Sequence, residues 1–383
     1  MSFGCSMPLY GSDDDSSSYD TFEWSSTRNL QTIFPEYKTL LDGRRYDLLK
    51  DVLRFEKEAP VFLEEVNRGL HTDMTVAGYI AAYTYSDTFR DVYMLPMIAA
   101  IWSVPKIDSM QMPMRTLIRF MVNHHLHKIK NRPKWRTVVD RSRQYVARVV
   151  AQLKHVRLNA AVASVTTVDG PDGISTQVRV QQPNGEIELF DDVVLATHTD
   201  VSLAMLGDTA TPEERALLAK IKYQSNRCVL HTDASIMPAN RALWASWNVK
   251  EFPRGASLST DAKATPVCCS YWVNLLQNLD EGMQDVFVTL NPPHEMENTL
   301  MEFELSHPTL NREAVEAQEQ LLTIQGKRHI YFAGAWTRYG FHEDGILSAV
   351  NVAELLGKAY EAEAAPKTPL ALALPWTPRS PSP

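Results

Sequence analysis

The sequence is short of several things, and each absence removes a class of protein. Only four of the 383 residues are cysteine: Cys5, Cys228, Cys268 and Cys269. No pair has the C-x-x-C spacing of a zinc site or a dithiol redox centre. Cys268 and Cys269 are adjacent in an apolar, strand-like run, so buried free thiols in a reducing compartment are expected. Every apolar stretch is interrupted by polar residues too early to make a membrane-crossing helix. The N-terminal region has neither a basic n-region nor an apolar h-region, so no secretory signal is expected and the location is read as cytoplasmic. A net charge of −8 argues against a broad nucleic-acid surface, and no nucleic-acid partner is expected.

What is present suffices for a large folded body. Apolar residues make up 44% of the chain, enough for a core, and the length calls for two interleaved domains or one large α/β unit. Met1–Gly11 reads as a strand followed by a Ser/Asp loop, Ser12–Ser18. Helical spacing runs over Tyr46–Glu58 and should stop before Pro60, with a second helix over Val61–Asn67. Further helices are expected at Thr75–Ala82, Ser86–Tyr93 (Ser86 as N-cap), Leu95–Trp102, Met114–Asn123 and Gln144–Leu153. Short strands follow at Val156–Leu158, Ala161–Val168, Thr176–Gln181, Ile187–Phe190 and Asp192–Thr197. Thr211–Lys220 starts as a helix should, with Pro212 and two glutamates in its first turn. Then come strands Cys228–His231, Ala242–Asn248, Val267–Trp272 and Val286–Leu290, and the helix Asn311–Leu322. The strand His329–Ala333 and the helix Ile346–Glu361 close the folded part; the proline-rich tail after Pro366 is expected to be disordered.

Chemistry is concentrated in that last strand–turn–helix. Gly334 ends the strand and Gly345 opens the helix, and between them lies a turn rich in aromatic and ionisable residues. Glycine lets a ligand approach the backbone, and the N–H groups of a helix N-terminus favour an electron-rich group. The same pattern suits an ordinary β–α turn. His342, flanked by Glu343 and Asp344, is the candidate acid–base residue, or else part of a hydrogen-bonded turn. The trio His124, His125 and His127 lacks a carboxylate or cysteine to complete a metal site and reads as a solvated helix end. Trp244, Trp247, Tyr271 and Trp272 either line an apolar cavity or fill the core.

The run Gly334-Ala335-Trp336 with Tyr339-Gly340-Phe341-His342-Glu343-Asp344-Gly345 resembles the C-terminal signature of the flavin-containing amine oxidase superfamily. The resemblance extends to Tyr85-Ser86-Asp87, Leu95-Pro96-Met97, Arg132-Pro133 with Trp135-Arg136-Thr137-Val138-Val139, Leu195-Ala196-Thr197-His198 and Trp244-Ala245-Ser246-Trp247-Asn248. It is nearest to bacterial NAD/FAD-binding proteins and the flavin domain of plant cyclopropane fatty-acid synthases. It implies an α/β, amine-oxidase-like FAD-binding fold: a Rossmann-like nucleotide-binding domain with an interleaved α+β substrate domain. The implied layout is a mainly helical cap over 1–130, a returning FAD-domain part with a β-meander over 131–200, a substrate domain over 201–325 and an FAD-domain strand–turn–helix over 326–362. FAD is the implied cofactor. Val162 would meet the adenine, Ala196 and Thr197 the pyrophosphate, and Gly334 and Ala335 the ribityl chain. Asp344, Gly345 and Ile346 would border the flavin ring. The implied substrate is a small organic molecule or a lipid, with a cyclopropane-synthase-like partner; a degenerate, non-enzymatic interaction module is the competing class.

Two features depart from the family pattern. The sequence contains no G-x-G-x-x-G, so the first βαβ unit is expected to be missing from an incomplete gene model, lost by divergence, or supplied by a neighbouring chain. Where the family carries Gly-Gly after the Trp-Arg-Thr-Val run, this chain has Asp140-Arg141.

Overall fold

The computed structural model describes residues 2–10, 19–26, 32–170, 176–252 and 267–364. The expected Ser12–Ser18 loop and the tail after Pro366 lie outside them. In chain order the elements are β1 (Phe3–Tyr10), β2 (Tyr19–Ser25), α1 (Gly43–Asn67), α2 (Val76–Ala82), α3 (Leu95–Trp102), α4 (Lys106–Gln111), α5 (Met114–Asn123) and α6 (Arg143–Val150). There follow β3 (Ser164–Asp169), β4 (Thr176–Gln181), β5 (Ile187–Phe190), β6 (Val193–Leu195), α7 (Thr199–Leu206), α8 (Pro212–Leu218), β7 (Tyr223–His231) and β8 (Trp247–Lys250). The last are β9 (Cys268–Trp272), α9 (Val273–Leu276), β10 (Phe287–Leu290), β11 (Thr299–Pro308), α10 (Arg312–Gln320), β12 (Ile330–Phe332) and α11 (His342–Ala364). No described helix is long and apolar enough to cross a membrane.

The chain divides into two compact units, Met1–Ala160 with Arg215–Gln320, and Ala161–Glu214 with Leu321–Pro383. The first is built on a seven-stranded sheet of order β11-β7-β10-β9-β8-β1-β2, antiparallel except for the parallel pair β1 and β8. Its register aligns Phe303, Cys228, Leu290, Cys269, Val249, Cys5 and Trp24 in one row across all seven strands. The opposite face carries a buried polar seam. His231 Nε2 lies 2.8 Å from Thr289 Oγ1, which is 2.8 Å from Ser270 Oγ. Asn248 continues the seam, donating to the carbonyls of Ser270 and Ala245. Gly4 leaves room for it: a Cβ there would meet Asn248 Oδ1 at 3.3 Å.

The helical part of this unit corrects the expected break at Pro60. α1 is one helix of 25 residues with Pro60 inside it. An internal proline costs about 3 kcal/mol through its lost N–H and ring clash. Phe55, Ala59 and Phe62 are buried on both sides of it, and each buried phenylalanine returns roughly 2–3 kcal/mol. Phe55 and Phe62 both meet Tyr79 edge-on, and Tyr85, Phe89 and Tyr93 continue the aromatic cluster by stacking. The expected helix from Ser86 forms, with Ser86 Oγ capping it by accepting the Phe89 N–H, but its Phe89–Met94 part is π-helical and runs without a break into α3. Val156–Leu158 is not a strand. β2 and β11 were not legible in the sequence. β11 is nearly all exposed and is held by its pairing with β7, including an Arg227–Glu302 ion pair at 2.6 Å.

The second unit holds the parallel pair β6 and β12, the antiparallel meander β3-β4-β5, and the helices α7 and α11. Thr211 and Glu214 form a reciprocal capping box: Glu214 Oε2 accepts the Thr211 N–H and Thr211 Oγ1 accepts the Glu214 N–H. Glu214 is also paired with Arg328.

Candidate functional site

β6 and β12 run side by side in the same direction, Ile330 opposite Val193 and Phe332 opposite Leu195. Each leaves its carboxyl end toward a helix N-terminus, β6 through Ala196–His198 into α7 and β12 through Ala333–Phe341 into α11. The Trp336 indole N–H ties the two connections together by donating to the Thr197 carbonyl at 3.1 Å. Thr197 Oγ1 is in turn 2.9 Å from Ser202 Oγ on α7.

Gly334 is required where it stands. Its φ is 148°, and a Cβ would lie 2.6 Å from Trp336 Nε1. Its N–H donates to Ser348 Oγ at 2.9 Å, and that hydroxyl donates to the Gly345 carbonyl at 2.7 Å. The turn is thus stapled to the first turns of α11. Asp344 is buried, and its Oδ2 accepts the Phe341 N–H at 3.0 Å, closing the helix start from the inside. Arg338 Nε stands 3.8 Å from the other carboxylate oxygen. Gly345 is different from Gly334: a Cβ there would meet Ala335 N only at 3.8 Å, an ordinary contact.

The structure therefore brings Thr197, Gly334, Ala335, Asp344 and Gly345 into one connected group. Ala196, His342 and Ile346 sit on the exposed side of the same two crossings. Val162 lies ahead of β3 rather than on it, 38% exposed, because β3 starts at Ser164. Trp336, Ser348 and Arg338 were missed by sequence reasoning. Ser348 was findable, since it stands one helical turn beyond Asp344 and Gly345.

Other expectations fare differently. Asp140 and Arg141 both have positive φ, 55° and 72°, a backbone region that favours glycine. The histidine trio does stand at the end of α5, with His124 as its C-cap, but it is less solvated than expected. His127 is buried with Nδ1 3.2 Å from the Met121 carbonyl, and His124 Nδ1 is 2.8 Å from the Phe120 carbonyl. No cluster of three or more metal-ligating side chains occurs among the described residues. The aromatics fill the core: Trp244 and Trp272 meet edge to face at 5.3 Å, and the Tyr271 hydroxyl donates to the Ala100 carbonyl at 3.1 Å. Trp244 also borders an open cavity of about 570 Å³ on the large sheet. Glu23, Lys250 and Glu251 line it as well, and Lys106 pairs with Glu251 at 2.5 Å.

No family model and no curated protein matches the chain. Solved structures do. The chain is similar to a putrescine oxidase variant redesigned in its cofactor binding, with a TM-score of 0.53 and 10% identity, over 92% of this chain and 81% of that one. It is similar to an oxidoreductase from Methanosarcina mazei, with a TM-score of 0.51 and 10% identity, over 93% and 81% of the two chains. At such identity the likeness establishes a shared fold. The mixed α/β architecture with a multi-stranded sheet stands at that level.

Proposed function

We propose that this chain is an FAD-dependent oxidoreductase of the amine-oxidase type, taking a hydride from an organic substrate. One observation carries the reading: two parallel strands, β6 and β12, deliver their carboxyl ends side by side into helix N-termini. Open α/β sheets bind ligands at the carboxyl ends of their strands. The resemblance of the Gly334–Gly345 turn to the flavin-contacting signature, and the fold shared with putrescine oxidase, support the same cofactor.

The residues present fit one side of a flavin. Gly345 has no side chain and only ordinary contacts around its missing Cβ, so backbone there can be approached. Asp344, Gly345 and Ile346 would border the ring, and Gly334 and Ala335 the ribityl chain. Ala196 and Thr197 would lie toward the phosphates and Val162 toward the adenine. The positive end of α11 would favour electron-rich atoms at its first turn. The bound flavin would supply the hydride acceptor. His342, exposed at the start of α11, would be the residue to hold or move a proton beside it. The sequence has no G-x-G-x-x-G, and no pyrophosphate cradle of that kind is derived from it. The second reading is a fold retained for interaction with a lipid-modifying partner. Within the first reading an apolar or lipid substrate is preferred, from the resemblance to the flavin domain of cyclopropane fatty-acid synthases.

Titration of the purified protein with FAD decides the matter. Binding should give visible flavin absorbance that co-purifies with the chain, as a protein-held cofactor does. Saturating FAD should also raise the melting temperature. A colourless protein with an unmoved melting temperature would refute the cofactor assignment. Gly345→Ala then tests the ring position. Helix propensity predicts unchanged or slightly higher stability, by up to about 1 kcal/mol. FAD affinity should drop by more than about tenfold, equivalent to 1.4 kcal/mol. Unchanged affinity in a stable variant would move the ring away from this turn.

A further inference from the structure

The net charge of −8 conceals a local excess of the opposite sign. From Lys128 to Arg157 the chain carries ten lysines and arginines and one acidic residue, Asp140. From residue 133 to 159 only Tyr145 is even partly buried, and most of these basic side chains are exposed. In the middle of the stretch, α6 buries no residue at all. Val146, Val149 and Val150 on α6, and Leu153 just beyond it, recur at i, i+3, i+4 and i+7, so they share one face, and they are 41–56% exposed. Arg143 and Arg148 stand on α6 with them, and Val139 and Leu158 add exposed apolar side chains on either side.

A soluble surface helix normally turns its apolar stripe inward. Here the stripe is outward, and the charge around it is of one sign. Basic residues beside exposed aliphatic side chains are the pattern of a segment that lies on an anionic bilayer. The cations meet lipid phosphates and carboxylates while the valines and leucines enter the interfacial layer. Nucleic acid would use the charge but leave the aliphatic stripe in water. We propose that Lys128–Arg157 docks this chain peripherally on membranes rich in anionic phospholipid. The reading is independent of the proposed flavin chemistry.

Co-sedimentation of the full chain with vesicles tests it, using phosphatidylcholine alone and phosphatidylcholine mixed with phosphatidylserine. Binding should require phosphatidylserine and weaken steeply with added salt. Reversing two charges (Arg143→Glu with Arg148→Glu) should lower the affinity more than about tenfold, since each basic residue near the surface contributes measurably. The control Arg143→Lys with Arg148→Lys should bind as the wild type does, because lipid reads charge rather than guanidinium shape. Removing the stripe (Val149→Ser with Leu153→Ser) should also weaken binding. These side chains are exposed, so the variants should keep the parent's melting temperature, which is measured alongside. Equal binding to neutral vesicles, or binding indifferent to these substitutions, overturns the proposal. So does capture by duplex DNA without vesicle binding, or a dimer in sedimentation that the stripe variant dissolves while vesicles go unbound.

Discussion

His231 shows how much one buried side chain can commit. It is fully buried, and its Nδ1 accepts the Asp233 N–H at 3.1 Å. The ring proton therefore belongs on Nε2, which donates to Thr289 Oγ1. Burial pushes its pKa below the usual histidine value, against the opposing pull of Asp233. A pKa lower in the folded chain than in the unfolded one means that the unfolded chain takes up the proton first on acidification. The stabilisation is complete above the unfolded value of ~6.5 and is lost as pH falls toward the folded one. His127, lowered by burial, acts with the same sign. The urea midpoint should thus fall between about pH 7.5 and pH 5, the range in which histidine titrates. His231→Gln should flatten that dependence while lowering stability throughout; a midpoint equally steep in the variant would remove His231 from the account. The sequence marks His231 only as a residue of an apolar strand. Its role depends on Thr289, 58 positions away.

At the scale of elements, β12 is the instructive case. It is three residues long and all three are buried. One edge pairs with β6, and the other is closed by a side chain. Gln325 donates from Nε2 to the Phe332 carbonyl at 2.7 Å and accepts the Phe332 N–H at 2.8 Å. The amide thereby does for one residue what a neighbouring strand would do. Gln325→Leu should leave both backbone groups unsatisfied and cost roughly 2–6 kcal/mol, at 1–3 kcal/mol for each buried orphan. Chemical denaturation measures it, and a loss under about 0.5 kcal/mol, the range of a surface substitution, would show that the edge is satisfied in another way. α1 teaches the complementary lesson. Its periodicity was legible on both sides of Pro60, but the balance between a proline and a buried aromatic face is set by what packs against that face.

Across the larger unit, the cysteines form part of a cross-strand pattern. Cys228, Cys269 and Cys5 alternate with Leu290 and Val249 in one row, so each thiol serves as a small apolar filler between larger side chains. Cys268 is buried as well, on the next position of β9. Burial pushes all four thiols up, Cys269 to about 12. A thiolate is the reactive form. The native protein should therefore give no fast-reacting thiol with a colorimetric disulfide reagent, and all four should react once it is denatured. One fast thiol in the native state would mean that the row opens. The reading of buried free thiols from an apolar sequence context holds, whereas their alignment is a matter of register.

The sequence by itself determined what depends on neighbours in the chain. The strands Thr176–Gln181 and Ile187–Phe190 and the helix Met114–Asn123 have the bounds read from their patterns, because alternation and helical spacing are local. So is the turn of the candidate site at Gly334, which answers to its backbone angle and to Trp336 two residues on. Tertiary structure decided the rest. It stacked β6 beside β12, set Trp336 against Thr197, ran α1 through Pro60, and held β11 by its pairing with β7. Each of these depends on partners far away in sequence, and a contact that closes a long loop leaves no periodic trace in the residues that make it.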